Sequence, residues 1–247
     1  MQLFDLYYLF IWIILLILLQ IIIFLSFYPR FGHVALPISF SGSILIFSLI
    51  SWYITILGLS LNYTLFVFTL LGILGIVLNY ANHRSQVENW HQYYIVFFYC
   101  FAVFLLARIL SPNILGEEKF MDFAYIHSLY RYPVIPPVDI WYSGEPFTVY
   151  YYYGYWIFAS LGSLLKIPPQ ILFNLALPTI AAFTAVNLYG IGTLFSKRYS
   201  FITLSLVFFP TIGLIWLLIS GYSLLDAYNG SFHIINGEFG HSFNAGE

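Results

Sequence analysis

The sequence predicts an all-α fold, a polytopic transmembrane helical bundle with one long extracytoplasmic loop that carries short interfacial helices. Of its 247 residues 61% are hydrophobic and only 7% are charged, and the mean hydropathy is +0.88. Soluble domains carry about 25% charged residues, so this chain has too little charge to cover a water-exposed surface. The net charge of −2 argues against a nucleic-acid partner, which requires a basic patch. We therefore expect an integral, multi-pass protein of the cell (cytoplasmic) membrane, in contact with membrane lipid.

Six apolar stretches are long enough to cross the hydrocarbon core, which takes about 20 helical residues. They are 3–28, 34–57, 63–81, 93–110, 171–195 and 199–220. The first stretch exceeds the apolar region of a signal peptide and has no basic segment before it, so we expect it to be retained. The chain is thus divided into four N-terminal transmembrane helices (1–110), an acidic loop with a Tyr-rich helix (111–170), two further transmembrane helices (171–220) and an external tail (221–247).

The segment 150–166 has two interpretations, a short span or a helix lying in the membrane interface. Its first seven residues, 150–156, belong to the aromatic run TVYYYYGYW (148–156). Tyrosine and tryptophan favour the headgroup level. The positive-inside rule favours Lys197 and Arg198 in the cytoplasm and the acidic loop outside, which requires that the segment does not span. We therefore prefer the interfacial helix, with Arg30 and Arg84 inside and both chain ends outside.

Half of the acidic residues, five of ten, lie between the fourth and fifth spans. They are Glu117, Glu118, Asp122, Asp139 and Glu145. The stretch 118–132 predicts a short helix that stops before Pro133. Glu118 and Asp122 then lie one turn apart, as paired carboxylates for acid–base chemistry or a divalent cation would. The alternative is that Lys119 neutralises both on a solvated helix face.

The same helix carries an apolar stripe, as an amphipathic helix on a bilayer would. Its members are Met121, Tyr125, Leu129 and Tyr132. Beyond the helix, prolines predict an extended segment at 134–141, which places Asp139 beside Trp141. A carboxylate among aromatic rings is typical of a sugar-binding surface and equally of an interfacial loop, and the sequence leaves both open. Near the outer end of the fourth span, Arg108 either snorkels to the interface or pairs with a carboxylate. The candidate partners are Glu117, Asp122 and Glu238.

The segment 116–156 resembles the signature of the YYY membrane proteins, a prokaryotic family of unknown function. It reads GEEKFMDFAYIHSLYRYPVIPPVDIWYSGEPFTVYYYYGYW. The shared positions are Gly116, Glu118, Lys119, 121–124, Pro136, Pro137, Asp139, Trp141, Gly144, 151–153 and Gly154. That family in turn resembles the C-type glycosyltransferases of the protein mannosyltransferase type. These polytopic enzymes take a sugar from a polyprenyl-phosphate carrier, using an acidic residue in the first large external loop.

The resemblance implies sugar transfer from a lipid-linked sugar donor at the extracytoplasmic face, and it implies site residues. Asp122 would be the catalytic carboxylate that accepts the proton of the acceptor hydroxyl or positions that hydroxyl. Asp139 and Glu118 are the second choices, as cation ligand or partner of a sugar hydroxyl. Residues expected to bind the carrier phosphate are Lys119, His127 and Arg131. Those expected to contact the lipid-linked sugar are Trp141, Tyr151, Tyr152 and Tyr153. No metal ligand is assigned, and a divalent cation as cofactor is left open.

The sequence departs from the family pattern in its length. Family members are usually longer and carry a further external motif, which residues 235–243 resemble only loosely. We therefore expect a fragment, a truncated product, or a chain that needs a C-terminal half or a partner subunit. Two other function classes compete with the transferase. A transporter or flippase-like protein would show internal repeats and broken helices, whereas a non-catalytic scaffold subunit is favoured by the short length and disfavoured by the clustered loop carboxylates.

Overall fold

The computed structural model describes residues 3–79, 90–110, 112, 114, 117–142, 145–147, 152–207 and 219–221. These residues form eight α-helices and no β-strand, which confirms the predicted all-α class. The helices are α1 (Leu3–Phe31), α2 (Ala35–Ile56), α3 (Asn62–Asn79), α4 (Trp90–Leu110), α5 (Glu117–Arg131), α6 (Tyr153–Leu165), α7 (Pro169–Phe195) and α8 (Lys197–Ser205). The chain divides into two compact units, Met1–Gly190 and Ile191–Glu247.

Three stretches of the described chain are long and apolar enough to cross a membrane, Leu6–Ile56, Trp90–Leu110 and Pro169–Phe195. The first contains both α1 and α2, which fold back on each other, since Gln20 Nε2 donates a hydrogen bond to Ser39 Oγ at 2.7 Å. Gly32, at φ +57°, makes the reversal, a conformation that glycine adopts without steric cost. With 29 and 22 residues, each leg of this hairpin exceeds the length needed to span.

The predicted spans agree with α1, α2, α4 and α7 to within about one helical turn. The third predicted span, 63–81, corresponds to α3, which is apolar and 18 residues long. The sixth, 199–220, is represented by the nine residues of α8 and by 206–207 and 219–221, while 208–218 lie outside the described residues. The prediction of an integral, multi-pass membrane protein is confirmed.

Aromatic rings from α2, α4 and α7 meet in the core of the first unit. Phe40 lies with its ring centroid 5.2 Å from that of Phe97 and 5.9 Å from that of Phe183. Across the bundle, the indole of Trp12 in α1 donates to Thr179 Oγ1 of α7 at 2.9 Å. Lipid tails are as apolar as these side chains, so close packing and interhelical hydrogen bonds, rather than exclusion of water, distinguish one helix pairing from another.

The short helix α6 lies within the segment 150–166, for which the sequence left open a short span or an interfacial helix. Its 13 residues extend about 20 Å at 1.5 Å per residue, less than the roughly 30 Å of the hydrocarbon core. It ends at Lys166, which takes the left-handed conformation (φ 53°), with Ile167 N–H donating to Gly162 O at 3.0 Å and Lys166 N–H to Ser163 O at 3.2 Å. This arrangement is a Schellman motif. Pro169 then begins α7, where its missing N–H costs nothing. The interfacial location of α6 stays a prediction.

Glycines mark one of the closest helix contacts, and substituting them gives a test of the packing. A Cβ atom at Gly190 of α7 would lie 2.6 Å from Cβ and Cγ of Pro37 in α2, whose ring cannot rotate away. Gly190→Ala is therefore expected to destabilise the protein by about 1–3 kcal/mol, as overpacking does. Gly154→Ala is the matched control, since a Cβ there meets nothing within 4 Å, and it should stabilise α6 by about 0.5–1 kcal/mol. Thermal unfolding in detergent measures both changes; equal shifts would contradict the described contact.

The second unit is described over residues 191–207 and 219–221. Ser196 is the N-cap of α8, and its hydroxyl accepts the N–H of Tyr199 at 3.5 Å. A Cβ at Gly192 would collide with the backbone of Ser200, so the last turn of α7 and the start of α8 require glycine at that position. The predicted tail, 221–247, lies outside the described residues except for Gly221.

Candidate functional site

The loop between the fourth and fifth spans contains α5, whose bounds differ from the predicted 118–132 by one residue at each end. Its buried side chains Tyr125 and Leu129 pack against α6, where Leu129 and Trp156 belong to one apolar cluster. The predicted bilayer-facing stripe was therefore wrong at these two positions, because α6 supplies the apolar surface that covers them. Tyr132, at the end of the stripe, is exposed.

After α5 the chain turns back on itself rather than continuing extended. Asp139 Oδ1 accepts the backbone N–H groups of Trp141 at 2.7 Å and of Tyr142 at 3.0 Å, which is an Asx-turn. The turn is closed by hydrogen bonds from Asp139 N to Glu145 O at 3.0 Å and from Phe147 N to Pro137 O at 2.7 Å. One carboxylate oxygen of Asp139 thus shapes the loop. The predicted extended segment 134–141 was wrong at Ile135 and Pro136, where the chain bends, and again at this turn.

Two stacked tyrosines connect α5, this turn and α6. The rings of Tyr125 and Tyr155 lie 5.4 Å apart with an interplanar angle of 14°, and Phe147 covers Tyr125 at 4.8 Å. The hydroxyl of Tyr155 donates to Asp122 Oδ1 at 2.5 Å. Asp122 is thus fixed through one of its two oxygens by a residue 33 positions away in the chain.

The other tyrosine of the pair is coupled to the second carboxylate. Burial raises the pKa of Tyr125 above its usual value, and the negative charge of Asp139 raises it further, while a hydrogen bond with the Trp141 side chain opposes both effects. An indole N–H can only donate, so Trp141 donates to the Tyr125 hydroxyl. Asp122 is therefore hydrogen-bonded to Tyr155, and the charge of Asp139 acts on Tyr125, the other ring of the same stack.

This arrangement suits recognition of a polyhydroxylated ligand and proton transfer from it. Among the residues that the structure describes, neither Asp122 Oδ2 nor Asp139 Oδ2 has a hydrogen-bond partner, whereas Oδ1 of each is held. A carboxylate fixed by one oxygen can accept a hydroxyl proton with the other. Trp141, 62% exposed, adds an apolar ring face beside Asp139 on which a sugar can pack.

The three basic or titratable candidates of α5 lie outside this cluster. Lys119, His127 and Arg131 are exposed; His127 stacks on Phe123 at 5.7 Å, and the Arg131 guanidinium lies 5.4 Å from the ring centroid of Tyr132. His127 and Arg131 are four residues apart and so are neighbours on the surface of α5, whereas Lys119 lies two turns earlier and is three residues from Asp122. The predicted role of these three residues in binding the carrier phosphate stays a prediction.

One residue of the tyrosine run, Tyr153, attaches α6 to α2. Tyr153 OH lies 2.9 Å from Ser48 Oγ of α2, so its hydroxyl is used in docking α6. Tyr152 is the N-cap residue of α6. Tyr151 and the side chain of Glu118 lie outside the described residues. Within the described ranges no group of three or more His, Cys, Asp or Glu side chains is placed to hold a metal ion.

Sequence reasoning missed the roles of Tyr125 and Tyr155. The spacing of three residues between Asp122 and Tyr125 indicates one helix face, so this neighbour could have been found. Tyr155 was part of the aromatic run, but its bond to Asp122 depends on how α5 and α6 pack, for which the sequence carries no local signal.

Comparison with protein families gives one match. A family model described as Uncharacterized membrane protein (DUF2298) matches residues 46–228, which is more than half of the chain and includes the whole site. The predicted similarity to an uncharacterised membrane family is confirmed at this level, and the resemblance to C-type glycosyltransferases stays a prediction. Neither the curated proteins nor the solved structures give a match.

Proposed function

The chain belongs to the family of uncharacterized membrane proteins DUF2298, and on that premise we propose that it is a membrane glycosyltransferase, or part of one. The substrate is a sugar on a polyprenyl-phosphate carrier, and transfer takes place at the extracytoplasmic face. The observation that carries the proposal is one stacked tyrosine pair that links both carboxylates: Tyr155 donates to Asp122, and Phe147, which closes the turn formed by Asp139, lies against Tyr125. It gives two oriented carboxylates, aromatic faces and hydroxyl groups in a loop between membrane helices.

Asp122 is the proposed general base. Its Oδ2 takes the proton of the acceptor hydroxyl while the acceptor oxygen forms a bond to the anomeric carbon of the sugar. The bond between that carbon and the phosphate oxygen breaks, and the carrier phosphate leaves with the electron pair. Tyr155 acts as a positioning residue, because its hydroxyl holds Oδ1 and so orients Oδ2.

The remaining site residues would bind the donor. Asp139 Oδ2 would accept hydrogen bonds from the hydroxyl groups of the sugar, and the Trp141 ring would pack against its apolar face. His127 and Arg131, neighbours on the surface of α5, and the exposed Lys119 offer positive charge and N–H donors for the carrier phosphate. Their exposure supports this role, since a charged phosphate reaches them without first entering the core.

The test is transfer of a labelled hexose in membranes that contain the full-length protein, beside the Asp122→Asn variant at matched expression. The same sugar is offered on a polyprenyl phosphate and on a nucleotide. We expect transfer from the lipid-linked donor only, and its loss in the variant. Equal transfer by both proteins would remove Asp122 from the mechanism. Movement of the lipid-linked sugar across the membrane without transfer would favour a transporter or flippase, and neither transfer nor movement would favour a scaffold subunit.

A further inference from the structure

A second polar feature lies away from the tyrosine stack, in a cavity of about 280 Å³. The cavity is bounded by the first turns of α1, the end of α4 and the start of α7, and Arg108, Gln170 and Asn174 are its polar residues. Its walls are otherwise apolar and include Leu9, Leu105, Ile109, Ile171 and Leu175. Arg108 is only 8% exposed, so the cavity contains a buried cation at the end of a membrane-spanning helix.

The partners of Arg108 are neutral in the described part of the chain. Arg108 Nε donates to Asn174 Oδ1 at 3.0 Å, and Nη2 donates to the same oxygen. The guanidinium carbon lies 5.8 Å from the ring centroid of Phe173. Of the carboxylates considered as partners from the sequence, Asp122 instead accepts from Tyr155, and the side chains of Glu117 and Glu238 lie outside the described residues.

The positive charge of Arg108 is not balanced by a carboxylate of the described residues, and several of its N–H groups have no acceptor among them. A guanidinium has five N–H groups, and only two of them have an acceptor among the described residues. Asn174 cannot supply more, because its Oδ1 already takes both bonds and its Nδ2 donates to Gln170 O at 3.0 Å. Among the described residues Arg108 has no counter-ion, and a buried cation in that state is costly. An anion in the adjoining cavity would remove that cost.

The chemistry of the cavity selects the class of anion. Arginine binds phosphate oxygens through paired N–H groups, and the positive end of the α7 dipole begins at Pro169, beside Gln170. The apolar walls fit a hydrocarbon tail. We propose that the cavity binds a phosphate group carried on an apolar tail, held by Arg108 and Gln170. This site goes beyond the proposed transfer reaction, because it stands whether or not the protein transfers a sugar.

The experiment measures binding rather than activity. The full-length protein in neutral detergent is titrated with dihexanoyl phosphatidate, with dihexanoylglycerol, which lacks the phosphate, and with inorganic phosphate. We expect phosphatidate to bind at least about tenfold more tightly than dihexanoylglycerol, the effect of one charge-assisted pair. Inorganic phosphate tests the apolar tail: weaker binding than phosphatidate supports a lipid headgroup as the ligand, and equal binding would overturn the proposed tail and identify a free ion instead. Equal affinities for phosphatidate and dihexanoylglycerol would overturn the proposal.

Three variants complete the test. Arg108→Gln should abolish the preference for phosphatidate. Asn174→Asp places a carboxylate against Arg108 at an unchanged side-chain size. It should therefore abolish the preference for phosphatidate while keeping or raising the unfolding temperature. If Arg108→Gln does not fold, Asn174→Asp provides the test. Arg198→Gln removes an exposed arginine of α8 and should bind phosphatidate as the wild type does. Wild-type binding by Asn174→Asp would overturn the proposal.

Discussion

Asparagine at position 122 is expected to reduce sugar transfer by about 10²- to 10⁴-fold, the usual contribution of a general base. The carboxamide has nearly the shape of the carboxylate, and its oxygen can still accept the Tyr155 hydroxyl. It cannot take up a proton. The loss should therefore appear in kcat for transfer from the polyprenyl-phosphate donor, with little change in the unfolding temperature.

Two further variants separate proton transfer from positioning. Tyr155→Phe keeps the ring that stacks on Tyr125 but removes the hydrogen bond to Asp122, so kcat should fall less than in Asp122→Asn while KM stays close to that of the wild type. Asp139→Asn retains the Asx-turn, which asparagine also forms, and should mainly raise KM. A larger loss of kcat in Asp139→Asn than in Asp122→Asn would reverse the two assignments.

Alanine in place of Trp156 is expected to produce the largest loss of stability, about 3–5 kcal/mol, as for other fully buried tryptophans. The side chain is 0% exposed and packs with Leu129 and Ala159. Its indole N–H donates to Ser51 Oγ at 2.9 Å. The substitution therefore creates a cavity between α5 and α6, and Ser51 Oγ of α2 loses the indole N–H as its hydrogen-bond donor.

Cys100 provides the measurement, because it is the single cysteine of the chain and is buried. A fluorogenic maleimide should label it only when the bundle opens, so the temperature at which labelling begins reports unfolding. Trp156→Phe should cost less than Trp156→Ala, because it loses the hydrogen bond but keeps most of the packing. Trp90→Ala is the matched control, with a side chain 57% exposed at the start of α4. Similar shifts for Trp90→Ala and Trp156→Ala would contradict the assigned role of Trp156.

The membrane helices could be predicted from the sequence because length and hydropathy alone define them. The stretches 3–28 and 93–110 were found by this criterion, and α1 and α4 extend them by about one turn. Helix α5 was found for a different reason. Its acidic first turn and the proline at 133 are local signals for where a helix begins and ends.

The contacts of the candidate site could not be predicted, because they depend on which helix faces meet. A helix that is apolar all round has no preferred buried face in its sequence, so nothing indicated that Arg108 would contact Asn174, 66 residues away. The same limit applies to Asp122 and Tyr155. Asp139 was identified as a candidate, but the reversal of the chain around it depends on less local bonds, from Asp139 N to Glu145 O and from Phe147 N to Pro137 O.

The contact between α2 and α6 has a consequence for how the protein assembles. Ser48 and Ser51 of α2 meet Tyr153 and Trp156 of α6, and both pairs are three residues apart. Each serine also donates to a carbonyl of its own helix, Ser48 to Leu45 O and Ser51 to Ser48 O, so the α1–α2 hairpin can enter the bilayer before α6 is present. Because equal spacings match in only one register, α6 then docks at a single height along α2. This register fixes the height of Tyr155, two residues after Tyr153, and so the position at which it meets Asp122.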